Sequence, residues 1–269
     1  MLEIESCVVS EKLRLFGEGW LMRSDVNEVD PVDEPDAVGS SSLNRHSFAD
    51  RIYSQLRTAL MAGLYEPGSR LNIRRLAIVY ETSQTPVREA IIQLVADGAL
   101  ELKLGHQPRV PILTIPRYIE IRETRAPLER LAAELSTVNI TRRDIEFLEQ
   151  QQVEFLRAEA EQDWKKALAT NQAFHFAIYR KSNNQVLIKF IENLWLLAGP
   201  FVNNQYPYSK KPAFDVHPHE LIIDALKRRS PTEAGELVVR DLREGSYRIL
   251  EKLKHEALES KPKKPKTLA

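Results

Sequence analysis

The sequence predicts a mainly α protein, an amino-terminal winged helix-turn-helix followed by an all-α antiparallel helical bundle. Three observations predict it. Between residues 48 and 113, two helical runs, a short turn, a third helical run and an alternating segment follow in order, which is the plan of a winged helix-turn-helix. Beyond Pro116 apolar residues keep helical spacing almost to the end of the chain. The single cysteine, Cys7, excludes an internal disulfide framework and a Cys-based zinc module. The 269 residues, 43% of them hydrophobic, must therefore be held by packing, and they suffice for one large or two modest domains.

Residues 1–45 read as a disordered acidic tail. Ser24 to Asn44 carries six acidic residues, two prolines and a Gly-Ser-Ser-Ser run, too little apolar surface to offset the entropy of ordering. Leu13, Leu15, Phe16, Trp20 and Leu21 form a small apolar cluster ahead of it. Two readings stand for that cluster: a docking segment, or sequence lying ahead of a true start at Met22. Glu3, Glu5, Glu11 and Glu18 replace the basic opening of a secretory signal. No uninterrupted apolar stretch approaches the roughly 18 residues of a membrane span. The expected compartment is the cytoplasm, with no membrane partner.

The first domain is expected over 46–113. Phe48, Ile52, Leu56 and Leu60 recur at helical spacing up to Gly63, and Glu66-Pro67-Gly68 turns the chain into a short helix around 73–80. Glu81 to Thr85 is polar. Val87, Ala90, Ile91, Leu94 and Val95 then mark a third helix, ended by Asp97-Gly98. Residues 100–104 and 109–113 alternate weakly around Gly105-His106-Gln107-Pro108 and read as a two-stranded hairpin. The second domain is expected over 114–257, with helices near 117–138, 142–161, 164–182, 185–203, 217–229 and 232–257. Thr141 and Ser230, the latter ahead of Pro231, are suited to N-cap positions. Residues 258–269, with Lys-Pro-Lys-Lys-Pro-Lys, read as a basic disordered tail. Lys+Arg and Asp+Glu are equal at 38 each, so net charge argues neither for nor against nucleic acid.

These residues resemble the GntR family of bacterial transcription regulators. Gly68-Ser-Arg-Leu-Asn72, Leu76-Ala77, Thr85-Pro-Val-Arg-Glu-Ala90 and Asp97-Gly98 resemble its amino-terminal signature. The second half resembles the FadR-type effector domain known as FCD, through Arg125-x-x-Leu-Glu129, Asn171-x-x-Phe-His175 and His219-x-x-Ile-x-x-Ala225-Leu. The two resemblances cover roughly residues 48–255. Six expected helices fit the shorter, metal-binding branch of that domain better than the seven-helix fatty-acid branch.

A DNA-reading helix must fit the major groove with donors at its amino end and an apolar back face. Residues 85–97 meet this requirement. Val87, Ala90, Ile91 and Leu94 make the back, which leaves Ser83, Gln84, Thr85, Arg88 and Gln93 outward. Arg88 can fork onto guanine and Gln84 can pair with adenine. Arg74 and Arg75 suit phosphates, and Gly105 and His106 suit the adjacent minor groove. The plainer alternative is that Arg88 and Glu89 are ordinary solvated helix residues. The resembling family commonly has Arg where this chain has Gln84, which leaves base preference open there.

Asn171 and His175 lie four apart on one helical face. His219 and Asp241 each lie eleven residues from Ser230, so an antiparallel hairpin brings them to the same height. Side chains from facing helices are how bundles build metal sites. The resemblance implies Asp, His, His and His at these four positions, so Asn171 and Asp241 are departures. One carboxylate, two imidazoles and an amide are a set for a divalent ion such as zinc. Arg125 is the candidate clamp for a carboxylate effector. The plainer alternative keeps His175 and His219 as satisfied core histidines, and His217 reads as a loop residue.

A metal-dependent enzyme and a pure interaction scaffold remain as competing classes. No nucleophile–base pair, His-Glu-x-x-His or phosphate loop accompanies the histidines, and an enzyme has little use for a helix-turn-helix. The expectation is a homodimeric repressor that binds double-stranded operator DNA and answers to a small carboxylic acid.

Overall fold

The computed structural model describes residues 40–112, 114–206 and 216–259. The chain divides into two compact units. Among the described residues, one comprises residues 40–60 together with Gly68–Pro111; the other comprises Met61–Pro67 and those from Ile112 on.

The first unit holds α1 (Ser40–Met61), α2 (Ile73–Val79) and α3 (Gln84–Ala96). Helix α1 starts inside the stretch 1–45 expected to be a disordered tail, while residues 1–39 lie outside the described ones. The buried face of Ala49, Ile52, Leu56, Ala59 and Leu60 anchors this helix. Once such a face is fixed, each residue added upstream costs only its own ordering and gains one backbone bond. Tyr53 donates its hydroxyl to Asp97 Oδ2 at 2.6 Å, tying α1 to the end of α3. That end is closed by Gly98 at φ 76°, with Ala99 N–H donating to the Leu94 carbonyl. Only glycine enters this left-handed conformation without penalty.

The expected two-stranded hairpin is corrected by the structure. Among the described residues no strand forms; isolated bridges pair Arg109 with Arg70 on one side and Glu101 on the other. The wing is thus three short segments, with Gly68 and Leu71 N–H donating to the carbonyls of Val110 and Pro108. Pro108 and Pro111 flank the pairing and supply no N–H, so the ladder cannot lengthen.

The second unit is wholly helical among its described residues. It contains α4 (Ile115–Asn139), α5 (Arg142–Ala160), α6 (Trp164–Arg180), α7 (Gln185–Ala198), a 3₁₀ segment (Gly199–Gln205), α8 (Pro218–Lys227) and α9 (Pro231–Glu259). Helix α4 packs against α9 and α7, and α5 packs against α6 and α8. The single helix expected over 185–203 breaks at Gly199, because Pro200 removes an N–H and its ring crowds the preceding turn. The stretch 185–202 is apolar and long enough on average to pass for a membrane span, although Lys189 and Glu192 interrupt it; half of it is buried inside the unit. A core helix of this kind satisfies the same test.

The loops that orient these helices are held by specific caps. Thr141 and Asp144 form a reciprocal capping box at the start of α5. Arg229, in the α8–α9 turn, donates to the carbonyls of Thr137 at 2.5 Å, Val138 at 3.0 Å and Ile140 at 3.0 Å. It thereby satisfies the last carbonyls of α4, which have no partner within the helix.

Candidate functional site

The first unit presents one polar face built by α3. Pro86, Val87, Ala90, Ile91 and Leu94 are buried, so helical periodicity turns Gln84, Thr85, Arg88 and Gln93 to solvent, beside the exposed N-cap Ser83. Asn72 caps α2 by accepting from Arg75 N–H at 3.1 Å. Arg74 is exposed, whereas Arg75 is half-buried with one terminal nitrogen lacking a protein partner. At the wing tip Gly105 and His106 are exposed, and the His106 ring is held by Nδ1 against the Leu104 carbonyl at 2.9 Å.

The second unit contains a cavity of about 90 Å³ whose wall includes Arg125, Asn171, His175 and Asp241. Helix α6 supplies Asn171 and His175 one turn apart. His219 sits on α8 and Asp241 on α9. Nε2 of His175 lies 3.0 Å from Asp241 Oδ2, and Nε2 of His219 lies 3.8 Å from Oδ1 of the same carboxylate. One ligand atom from each of the three comes within 4.8 Å of the others. Asn171 lines the same cavity. His217 is the N-cap of α8, its Nδ1 accepting from His219 N–H at 3.2 Å.

The electrostatics favour a cation among these three residues. Burial drives the His219 imidazole well below its ordinary pKa, so it stays neutral. Burial pushes the Asp241 carboxyl up, but the imidazoles of His219 and His175 outweigh it and hold it below the usual carboxylate range. A half-buried carboxylate thus faces a neutral imidazole, and His219 Nε2 has no hydrogen-bond partner. An orphaned nitrogen lone pair beside a carboxylate and a second imidazole is the donor chemistry of a divalent transition metal. The residues present fit such an ion.

Sequence reasoning treated Arg125 as a free clamp and missed the residues around it. Arg125 is buried, its Nε 2.6 Å from Glu129 Oε1, its guanidinium 4.5 Å over the Trp195 ring. Trp195 Nε1 also donates to Glu129 Oε1 at 2.8 Å, and the Tyr179 hydroxyl donates to Oε2 at 2.7 Å. The Tyr179 oxygen in turn lies 3.3 Å from His175 Nδ1. Gln152, buried on α5, places Oε1 2.8 Å from His219 Nδ1. The i, i+4 spacing of Arg125 with Glu129 and of His175 with Tyr179 was visible in the sequence. Nothing in the sequence marked Gln152 or Trp195.

Comparison with known proteins adds two family matches. Residues 48–107 match the model of bacterial regulatory proteins of the gntR family, and residues 120–244 match the FCD domain. The chain is 30% identical over 193 residues to the HTH-type transcriptional regulator McbR of Escherichia coli strain K12, covering 71% of this chain and 87% of that protein. It is 25% identical over 210 residues to the Exu regulon transcriptional regulator of the same strain, covering 68% and 79%. The solved structure of E. coli McbR/YncC superimposes with a TM-score of 0.70 at 28% identity, over 76% of this chain and 97% of that one.

Proposed function

The chain belongs to the gntR family of bacterial regulatory proteins and carries an FCD domain, and from that membership we propose how it reads DNA and senses its effector. It is a DNA-binding transcription regulator, and its relatives are regulators rather than enzymes. In our reading α3 enters the major groove, with Arg88 and Gln84 meeting base edges and Ser83 and Thr85 near the backbone. Arg74 and Arg75 meet phosphates, and Gly105 and His106 follow the minor groove. The two domains of this reading run over 46–113 and 114–257, and its compartment is the cytoplasm, where the DNA is.

The effector we propose is a small carboxylic acid bound in the cavity of the second unit, together with a divalent metal held by His175, His219 and Asp241, with Asn171 beside them. The observation that carries this is the bare Nε2 of His219 facing Asp241. Bound there, the ion would supply two positive charges and open coordination positions for an acid. The charge of the wall supports the pairing of metal and anion. Two arginines, Arg125 and Arg248, stand against three carboxylates, Glu129, Asp241 and Glu244; a divalent ion turns that excess of one negative charge into an excess of one positive. Arg125, already paired with Glu129, then contributes attraction rather than a bidentate clamp.

The effector acts through its different affinity for DNA-competent and DNA-incompetent states, and the sign we propose is repression relieved by the acid. We further propose a homodimer joined through α4 and α7. These helices pack together and leave Leu131, Leu135 and Val138 of α4 and Val186 and Phe190 of α7 exposed. An apolar face of that kind on adjacent helices is a candidate protein contact, and two-fold symmetry would impose a palindromic operator.

Elemental analysis of the purified protein, paired with a thermal-shift screen of small carboxylates with and without chelator, tests the sensor. About one metal per chain and an acid response abolished by chelator are expected. An acid response indifferent to chelator would remove the metal from the effector site.

A further inference from the structure

The histidine pair is surrounded by groups that settle which ring nitrogen carries the proton. Gln152 Oε1 sits 2.8 Å from His219 Nδ1. An amide oxygen only accepts, so the proton of a neutral His219 must be on Nδ1. Nε2 is then bare, which agrees with its having no hydrogen-bond partner while buried. The second histidine has a longer support. Glu129 receives Arg125 Nε at 2.6 Å and Trp195 Nε1 at 2.8 Å on one oxygen, and the Tyr179 hydroxyl at 2.7 Å on the other. A carboxylate so surrounded is an acceptor, and it takes the only proton Tyr179 has to give. The Tyr179 oxygen, 3.3 Å from His175 Nδ1, is therefore left as an acceptor toward that ring.

We propose that Gln152 is a positioning residue for His219, and that Tyr179, oriented by Glu129, is one for His175. Each takes the Nδ1–H of its imidazole and reserves Nε2 for a metal; without the ion, His175 Nε2 donates to Asp241 Oδ2 at 3.0 Å, and the metal would replace that proton. Both Nε2 atoms do face Asp241, at 3.0 and 3.8 Å, so the two supports converge on one carboxylate. Partners of this kind fix ring orientation and raise ligand basicity, and losing one lowers metal affinity about 10–100-fold. Three different helices contribute: α5 through Gln152, α6 through Tyr179 and α4 through Glu129. The metal part of this inference, and with it the bare Nε2 of His175, rests on the metal site proposed above; the ring proton of His219 does not.

The test uses the full chain and zinc alone as probe. Competitive titration against a chelating dye is expected to show zinc affinity lowered about 10–100-fold in Gln152→Leu and in Tyr179→Phe. Gln152→Glu, which keeps an acceptor at Nδ1, is expected to restore Gln152→Leu toward wild type. Nitrogen-15 spectra of metal-free wild type should show His219 protonated at Nδ1. Affinity unchanged within twofold in both variants overturns the proposal, as does a wild-type His219 protonated at Nε2. The spectrum of wild type decides the Gln152 assignment even if that variant fails to fold. A wild type that binds no zinc yet shows the Nδ1 proton overturns the metal site and upholds the assignment of Gln152.

Discussion

Asp241 Oδ2 lies 3.0 Å from His175 Nε2, although the two residues reach each other from α6 and α9, and its other oxygen faces His219 from α8. The carboxylate thus reaches both imidazoles. Asp241→Ala should reduce bound metal from about one per chain to near zero in elemental analysis. Equal stoichiometry in variant and wild type would remove Asp241 from the site.

The same burial makes stability depend on pH. His219 is held well below its ordinary value of 6.5, and burial also lowers His217. Below about pH 6.5 the unfolded chain takes up protons at these rings and the folded chain does not. Their contribution is therefore complete above pH 6.5 and is lost progressively as pH falls toward the folded values. Urea unfolding of chelator-treated protein between pH 7.5 and 5.5 should show decreasing stability, with a shallower decrease in His219→Asn. An identical slope in that variant would assign the acid sensitivity elsewhere.

Arg88 stands exposed on α3 over a back face of Val87, Ala90, Ile91 and Leu94. Replacing it with Ala should cost about 1–3 kcal/mol in specific operator binding, while a phosphate contact such as Arg74 should weaken all sequences alike. Fluorescence anisotropy at fixed salt, on specific and scrambled duplexes, separates the two. An Arg88→Ala protein with undiminished preference for the operator would refute the base-reading role.

Phe190 is 61% exposed on α7 beside the equally bare Val186. Phe190→Glu buries a charge if that face meets a second copy, and sedimentation velocity should then show the dimer shifting to monomer at micromolar concentration. Retention of the wild-type sedimentation coefficient would place the dimer contact on another surface.

Gly235 on α9 lies tight against α4. A Cβ there would stand 2.8 Å from Cγ of both Arg130 and Glu134, so even the first added carbon forces the helices or those side chains apart. Gly235→Val should destabilise by about 1–3 kcal/mol, read as a lower denaturation midpoint with the urea slope unchanged. A midpoint equal to wild type would mean that Arg130 and Glu134 move aside freely.

Local rules made much of this protein legible. Apolar spacing at Val87, Ala90, Ile91 and Leu94 defined α3 and its exposed face, because a 3.6-residue period is a property of the chain itself. The eleven-residue distances from Ser230 to His219 and Asp241 are likewise local arithmetic about a helical hairpin. The extent of the wing was not legible, since pairing of Arg109 with both Arg70 and Glu101 is non-local and Pro108 and Pro111 limit it only once a partner is present.

What the sequence determined by itself, then, is periodicity: where helices run, which faces are apolar, and which polar residues stand one turn apart. Tertiary structure alone decided what those polar residues meet. Arg125 looks like a free cation in the sequence, yet burial obliges it to pair with Glu129, since an unpaired charge in an apolar interior is too costly to keep. Gln152 looks like one more glutamine on a polar helix, yet packing of α5 against α8 sets its amide 2.8 Å from His219. Desolvation and hydrogen-bond satisfaction are properties of the assembled interior, and they exist only after distant segments of the chain have come together.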